Sequence, residues 1–369
     1  MNGLFAIGGA YLRVLFSLAV LLTCWLERGA GAQPTDLVCW VLVGAAVLTW
    51  LFDEVPAGAA RALLTLLLGV ALFFAGLELA VAQTGGEGDA FWAAFAAVWL
   101  GAWVLVAFVA EQPGKSGLSA LIAPLLFGVT ILWAWETAVH GLGVPRVILP
   151  APSEIAGRLA SSTDTLWTDL VQTFGRGALS GFVIGCGSAF LFALVVDRYA
   201  FLRRGLLPVG NFLAALPIIG TAPIFVMWFG FDWPSKAAVV VAMVFFPMLV
   251  NTVQGLAATD SMQRDLMRTY SASWWQTLIR LRLPAAMPFV FNGLKICATL
   301  ALIGAIVAEF FGSPTYGMGF RISTEVGRLQ LPMVWAEIAV AAALGSAFYG
   351  VWALLERRVT FWHPSQRGR

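Results

Sequence analysis

The sequence predicts an all-α integral membrane protein with about ten transmembrane helices. Three observations carry that expectation. Of 369 residues, 60% are hydrophobic and only 11% charged, against about 45–50% and about 25% in a soluble domain. A single soluble core stops growing near ~250–300 residues and has no room for that excess. Long stretches contain no Asp, Glu, Lys or Arg at all, and none alternates in polarity as the strands of a membrane barrel do. Composition therefore excludes a cytoplasmic enzyme, a disordered chain and a disulfide-stapled secreted domain. The net charge of +2 gives no ground for a nucleic-acid partner. Two His and four scattered Cys show no metal or redox spacing, so Cys24, Cys39, Cys186 and Cys297 read as apolar filler.

Taken in order, the charge-free stretches are 37–52, 62–77, 90–110, 116–135, 177–196, 205–231, 237–259 and 338–355. Two weaker ones, 14–26 after Arg13 and 294–308 with Lys295 near its start, complete ten. Each has, or nearly has, the ~20 residues that cross the hydrocarbon as a helix. The first could be misread as a secretory signal ending at Ala30-Gly31-Ala32. It lacks a basic extreme N-terminus, so an uncleaved first span is the better reading. With the N-terminus inside, thirteen Lys and Arg fall on inside loops or the tail and seven on outside loops or an outer helix end. That excess predicts both termini inside. Nine of the 16 Trp, among them Trp25, Trp40, Trp133 and Trp335, fall near span ends, as an interfacial aromatic belt does.

The chain divides into unequal parts. Residues 1–110 form four spans with short loops and no motif assignable to chemistry, and 111–117 (EQPGKSG) read as an inside linker. Residues 118–369 hold six spans and two long connections. The outer connection contains LPAPSEI (149–155), where Ser153 is a candidate N-cap for a short helix at the membrane surface.

The inner connection, 258–284, is the most informative segment. Its core reads DSMQRDLMRTYSASWWQTLIRLRLP. Leu266, Met267 and Tyr270, then Trp274, Leu278 and Leu281, recur at helical spacing between Arg264, Arg268, Arg280 and Arg282, with Ser271-Ala272-Ser273 as a break. An Arg-rimmed helix with apolar anchors suits the groove of a soluble protein. It suits an anionic lipid surface equally well.

The segment resembles the Glu-Ala-Ala loop of ABC-importer permeases. Leu281-Arg282-Leu283-Pro284 matches its hydrophobic-x-Leu-Pro end; Asp265-Leu266-Met267 stands for its acidic-Ala-Ala start and Ser271 for its Gly. LPAPSEI, Thr173-Phe174-Gly175-Arg176, APIFVMWFG (222–230), FFPMLVNTVQGL (245–256), GAIVAEFFG (304–312) and Tyr316-Gly317-Met318-Gly319 also fit, in order, over about 118–364. They resemble the branch serving nitrate, taurine, alkanesulfonates and vitamin precursors. The resemblance implies a six-helix type I permease core, here preceded by four extra helices, in a bacterial inner membrane. It implies a coupling role for Asp265, Leu266, Met267, Ser271, Leu281, Leu283 and Pro284. It also implies a dimeric ABC ATPase that binds the ATP, a second permease copy or homologue, and a periplasmic substrate-binding protein. This chain itself would bind no cofactor.

Helices lining a transport path are often broken, because water or substrate satisfies the freed backbone. The stretch 205–231 carries Pro208, Pro217, Gly220 and Pro223. It is the candidate path-lining span, with Thr221, Met227 and Trp228 as contacts. The alternative is that its prolines only shape packing. Asn251 is a further path candidate, although interhelical hydrogen bonding is the commoner task for it and Asn292. Glu309 follows thirteen uncharged residues and is expected either at an outer gate or paired with Arg321 or Arg328. Glu136 is expected to reach the headgroups, and Glu337 to lie at the outer end of the last span. An ion-coupled secondary transporter is the rival function. It would show inverted repeats and buried mid-membrane acids, whereas the sequence shows no convincing repeat and few acids within spans. An intramembrane enzyme finds no support, for there is no paired nucleophile and base and no phosphate-binding loop.

Overall fold

A computed structural model of the chain describes residues 2–30, 36–51, 59–81, 88–111, 121–199, 201–202, 204–205, 217–312 and 315–362. Among them all regular structure is helical. The helices are α1 (Asn2–Ala30), α2 (Asp36–Leu51), α3 (Ala59–Val81), α4 (Asp89–Glu111), α5 (Ile122–Gly141) and α6 (Pro152–Ser161). Then come α7 (Thr163–Arg198), α8 (Ile218–Phe229), α9 (Trp233–Ala257), α10 (Ser261–Thr269), α11 (Trp274–Gly312), α12 (Met318–Gly327) and α13 (Leu331–Val359). Six of these are long and apolar enough to cross a membrane (α4, α5, α7, α9, α11, α13), and α1, α2, α3 and α8 contain shorter apolar helices. Each charge-free stretch overlaps a helix in its described part, 205–231 chiefly through α8, since 206–216 lie outside the described residues. Pro208 and the linker 112–117 lie outside the described residues.

The chain forms two compact units, Met1–Ile155 and Ala156–Arg369. In the first, α1 to α4 share a core that includes Phe16, Leu42, Leu68, Leu72, Ala97 and Phe108. The unit also takes in α5. Trp133 of α5 turns inward, donates its indole N–H to the Gly76 carbonyl at 2.9 Å and stacks on Phe95 with ring centres 5.2 Å apart. Trp25 and Trp40, by contrast, are exposed, as belt residues are. Two expectations are corrected here. Cys24 of α1 and Cys39 of α2 are joined by a disulfide, with their Cα atoms 5.7 Å apart. Ser153 does not cap α6, which begins at Pro152, a residue suited to the first helical turn because it has no N–H to satisfy. The Ser153 hydroxyl and N–H instead donate to Glu136, at 2.6 and 2.9 Å, and His140 lies 3.0 Å from the same carboxylate.

In the second unit, α7, α9, α11 and α13 enclose a core of small and β-branched side chains. Ala178, Cys186, Ala189 and Ala193 of α7 meet Val240, Val244 and Met248 of α9 and the run Cys297, Ala298, Ala301 and Ala305 of α11. Lipid is as apolar as these surfaces, so association rests on close van der Waals contact, which small residues permit. Phe348 of α13 closes the core edge-on to Phe174 and Phe182. Two of the long helices widen to π geometry, α7 at Val171–Ala178 and α11 at Leu278–Arg282. Such bulges often mark functional positions. Here the first carries Thr173 and the second Arg282, and both side chains hold neighbouring elements together.

Candidate functional site

Apart from a Lys295–Glu356 ion pair at 2.7 Å between α11 and α13, the second unit gathers its polar side chains at the two opposite ends of α11. The first is the segment from α10 to the start of α11. No residue of α10 is buried; Leu266 is 56% exposed, and Met262 and Tyr270 more so. The helix ends at Thr269, and the chain turns through Ser271, whose φ of +52° lies in the left-handed region that favours glycine. That backbone requirement accounts for the Gly usual at this point in the Glu-Ala-Ala loop. Ser273 then opens α11 with a reciprocal cap: its hydroxyl accepts from Gln276 N–H at 3.3 Å, and its own N–H donates to the Gln276 side chain at 2.8 Å.

One arginine anchors this exposed segment to the membrane helices. Arg282 donates through Nη1 and Nη2 to the two oxygens of Asp197, each at 2.7 Å, and through Nε and Nη2 to the Leu256 carbonyl, at 3.0 and 2.9 Å. The fork joins α11 to the last residues of α7 and α9. Asp197 is nearly buried, so this pair is not a solvated surface bridge. Beside it, the Arg198 guanidinium lies 5.1 Å from the Trp274 ring centre. Leu278 is buried below, and Leu281 and Leu283 are half-buried. The arrangement is a rigid stem under an exposed amphipathic head. Asp265 sits on that head, 3.3 Å from Arg268, with both side chains largely in solvent. Pro284 is exposed, Met267 half-exposed.

The second place is a buried cluster at the opposite end of α11. Glu309 is 1% exposed and accepts from Lys236 Nζ at 3.1 Å, the Thr173 hydroxyl at 2.7 Å and Gly319 N–H at 3.0 Å. This corrects the expected pairing. Arg321 binds Asp169 at 2.8 Å and Arg328 binds Glu325 at 3.2 Å, while Glu309 takes Lys236. Lys236 lies buried in the first turn of α9. Three side chains grip successive amides at the start of α12: Asp169 accepts from Gly317 N–H at 2.7 Å, Thr173 from Met318 N–H at 2.8 Å, and Glu309 from Gly319 N–H. Gly317 has φ +126°, and a Cβ there would overlap the Glu309 carboxylate. The Tyr-Gly-Met-Gly sequence is thus a backbone shaped to lie on a carboxylate.

The path candidates do not converge. Met227 and Trp228 are 83% and 71% exposed on α8, and Pro217 is exposed just before it. Thr221 donates to the Ile218 carbonyl of its own helix at 3.1 Å, and Pro223 lies inside α8. Asn251 accepts from Asn292 at 3.2 Å and donates to the Pro247 carbonyl at 2.8 Å, the interhelical task that was its commoner reading. Glu309 is sealed by its partners and faces no path in this state. Sequence reading gave no role to Asp169, Lys236 or Asp197 and noted Thr173 only for the family resemblance. Only the i, i+4 spacing of Asp169 and Thr173, which puts both on one helical face, was a usable signal.

Residues 181–361 match the family described as binding-protein-dependent transport system inner membrane component. The chain is 31% identical over 246 residues to the formylaminopyrimidine transport permease protein ThiX of Halalkalibacterium halodurans, covering 97% of that protein and 66% of this chain. The chain belongs to this permease family. It is also 30% identical over 237 residues to the riboflavin transport system permease protein RibX of Chloroflexus aurantiacus, covering 88% of it and 64% of this chain. To the putative aliphatic sulfonates transport permease protein SsuC of Bacillus subtilis it is 29% identical over 263 residues, covering 94% of it and 70% of this chain. Each relative is spanned almost whole, while about a third of this permease is left without a counterpart. The permease is accordingly a multi-pass transport subunit of an ABC importer for small solutes, not an enzyme.

Proposed function

We propose that the permease couples ATP hydrolysis on a separate dimeric ATPase to import, through the segment 258–284. A second permease copy or a homologue completes the path, and a periplasmic binding protein delivers the solute. One observation supports this above the others: an exposed amphipathic helix stands on a stem locked to two membrane helices by Arg282. A lipid-lying helix needs no such lock, whereas a lever that transmits closure of the ATPase to the membrane does. Alternating access requires that closure to shift the permease population by several kcal/mol, and a compliant stem would absorb it. The substrate is a small organic anion or an aromatic vitamin precursor; the relatives are named for formylaminopyrimidine, riboflavin and aliphatic sulfonates. Of the path candidates, Met227 and Trp228 on α8, with Pro217, Thr221 and Pro223 shaping that helix, remain the ones open to a solute. Both termini are cytoplasmic. The Cys24–Cys39 disulfide supports that orientation, because a disulfide persists in an oxidising compartment and the α1–α2 junction is then outside.

The test is Asp265→Ala in the reconstituted complex. The Asp265–Arg268 pair is solvated and contributes little to stability, so the variant folds with an unchanged melting temperature. Solute uptake per ATP hydrolysed falls at least several-fold. Unchanged uptake per ATP, with unchanged affinity for the ATPase, removes the coupling role from this helix.

A further inference from the structure

Around Asp169 and Glu309 the charges do not balance. Among the described residues the buried group at this end of α11 has three carboxyls, Asp169, Glu309 and Glu337, all at most 1% exposed, and two cations, Lys236 and Arg321. Asp169 and Glu309 each have both oxygens occupied by named donors. Glu337, in the second turn of α13, is fully buried, and neither of its carboxyl oxygens meets a hydrogen-bond donor. Its ionisable neighbours are Asp169 of α7, Arg321 of α12 and Glu309 of α11, with Asp169 foremost and within hydrogen-bonding reach. Lys236 of α9 is already on Glu309, and Glu325, the other acid of α12, is on Arg328. An uncompensated carboxylate in such a place costs several kcal/mol. A neutral carboxylic acid costs far less and gains a hydrogen bond, because its O–H can donate to Asp169.

We propose that Glu337 and Asp169 form a one-proton binding site, with the proton resident on Glu337 and donated to Asp169. The missing positive charge has two chemical sources, a proton or a small metal cation. A metal cation needs several oxygen ligands, and among the described carboxyls of this group only Glu337 has oxygens that meet no donor. Among the described residues no three His, Cys, Asp or Glu side chains converge to hold a metal. A proton needs one donor oxygen and one acceptor, which is what the pair supplies. The site lies behind the clamp on α12. When the proton leaves, Glu337 becomes a second anion beside Asp169 and competes for Arg321. Repulsion between the two carboxylates loosens Asp169 from Gly317 N–H, so one of the three grips on the start of α12 weakens. The site is thus a proton-sensitive latch on an element joining two spanning helices. It makes no demand on which energy source drives transport.

Infrared spectroscopy of the purified full chain reads the proton directly. At neutral pH the wild type shows a carboxylic-acid C=O band that shifts on exchange into heavy water. The band shifts again when glutamate is carbon-13 labelled and is lost in Glu337→Gln, which keeps the shape of the neutral acid. If that variant fails to fold, Glu337→Leu, apolar and of similar volume, takes its place, and the band must again be lost. No acid band in the wild type, or a band that ignores the glutamate label, overturns the proposal. So does a sodium-bound site: the wild type would then melt higher in sodium chloride than in choline chloride of equal ionic strength, and Glu337→Gln would erase the difference. Equal melting in the two salts supports the proton.

Discussion

Arg282 is the residue on which the exposed segment depends. Its guanidinium satisfies both oxygens of a nearly buried carboxylate and the terminal carbonyl of α9 at once. Removing it leaves Asp197 charged and unpaired, which costs about 3–5 kcal/mol at a buried site. Arg282→Ala is therefore expected to lower stability in detergent by about 3 kcal/mol and to reduce uptake per ATP hydrolysed. Arg282→Lys keeps a charge but loses the fork, so it falls between. Replacing both partners by apolar residues of similar volume, Arg282→Met with Asp197→Leu, restores most of the stability, because no charge is left orphaned. It does not restore coupling. Thermal melting and paired uptake and ATPase assays separate the two effects, and recovery of both together in the double variant contradicts the lever. Arg282 was legible in the sequence as one of four arginines in an amphipathic run. Its partner was not, since Asp197 lies 85 positions away and no local pattern joins them.

At the scale of the element, α12 shows how a short helix is held where it begins. Its first amides face no water; Asp169, Thr173 and Glu309 take them in sequence. Thr173 is placed for this by the π turn of α7, and its hydroxyl works twice, donating to Glu309 and accepting from Met318 N–H. Thr173→Val keeps the side-chain shape and deletes both bonds. It is expected to cost about 2 kcal/mol, the typical penalty for orphaning a buried donor. It should also raise protease cleavage within 315–330 while leaving the segment around α10 as protected as before. An unchanged cleavage pattern would mean the clamp does not hold α12. The spans themselves were readable because charge-free runs of membrane length have no other use. The clamp was not, because it is assembled from three helices far apart in sequence. Its expected ion pairs are replaced by others: Arg321 is held by Asp169 and Arg328 by Glu325 three residues before it, while Lys236 is buried beside Glu309.

On the scale of the whole molecule, the relatives are covered almost completely by about two thirds of this chain. The sequence division at 111–117 left α5 with the permease core, whereas contact density draws it into Met1–Ile155. Trp133 supplies the reason: its indole N–H needs an acceptor inside the bilayer, and the Gly76 carbonyl of α3 provides it. Deleting 1–110 removes that acceptor and the Phe95 ring together, and turns a packed face of α5 to lipid. Lipid tails replace most of the lost van der Waals contact, so the expected cost is one unsatisfied indole rather than an exposed core. The deletion variant should therefore reach the membrane and bind its ATPase, because α10 and the Arg282 lock lie entirely in the other unit. A further Trp133→Phe change, which removes the orphaned N–H, should recover part of any lost stability. Co-purification of the ATPase with the truncated chain is the measurement. A truncated chain that is folded by its melting transition yet binds no ATPase would assign the four extra helices to the coupling machinery itself.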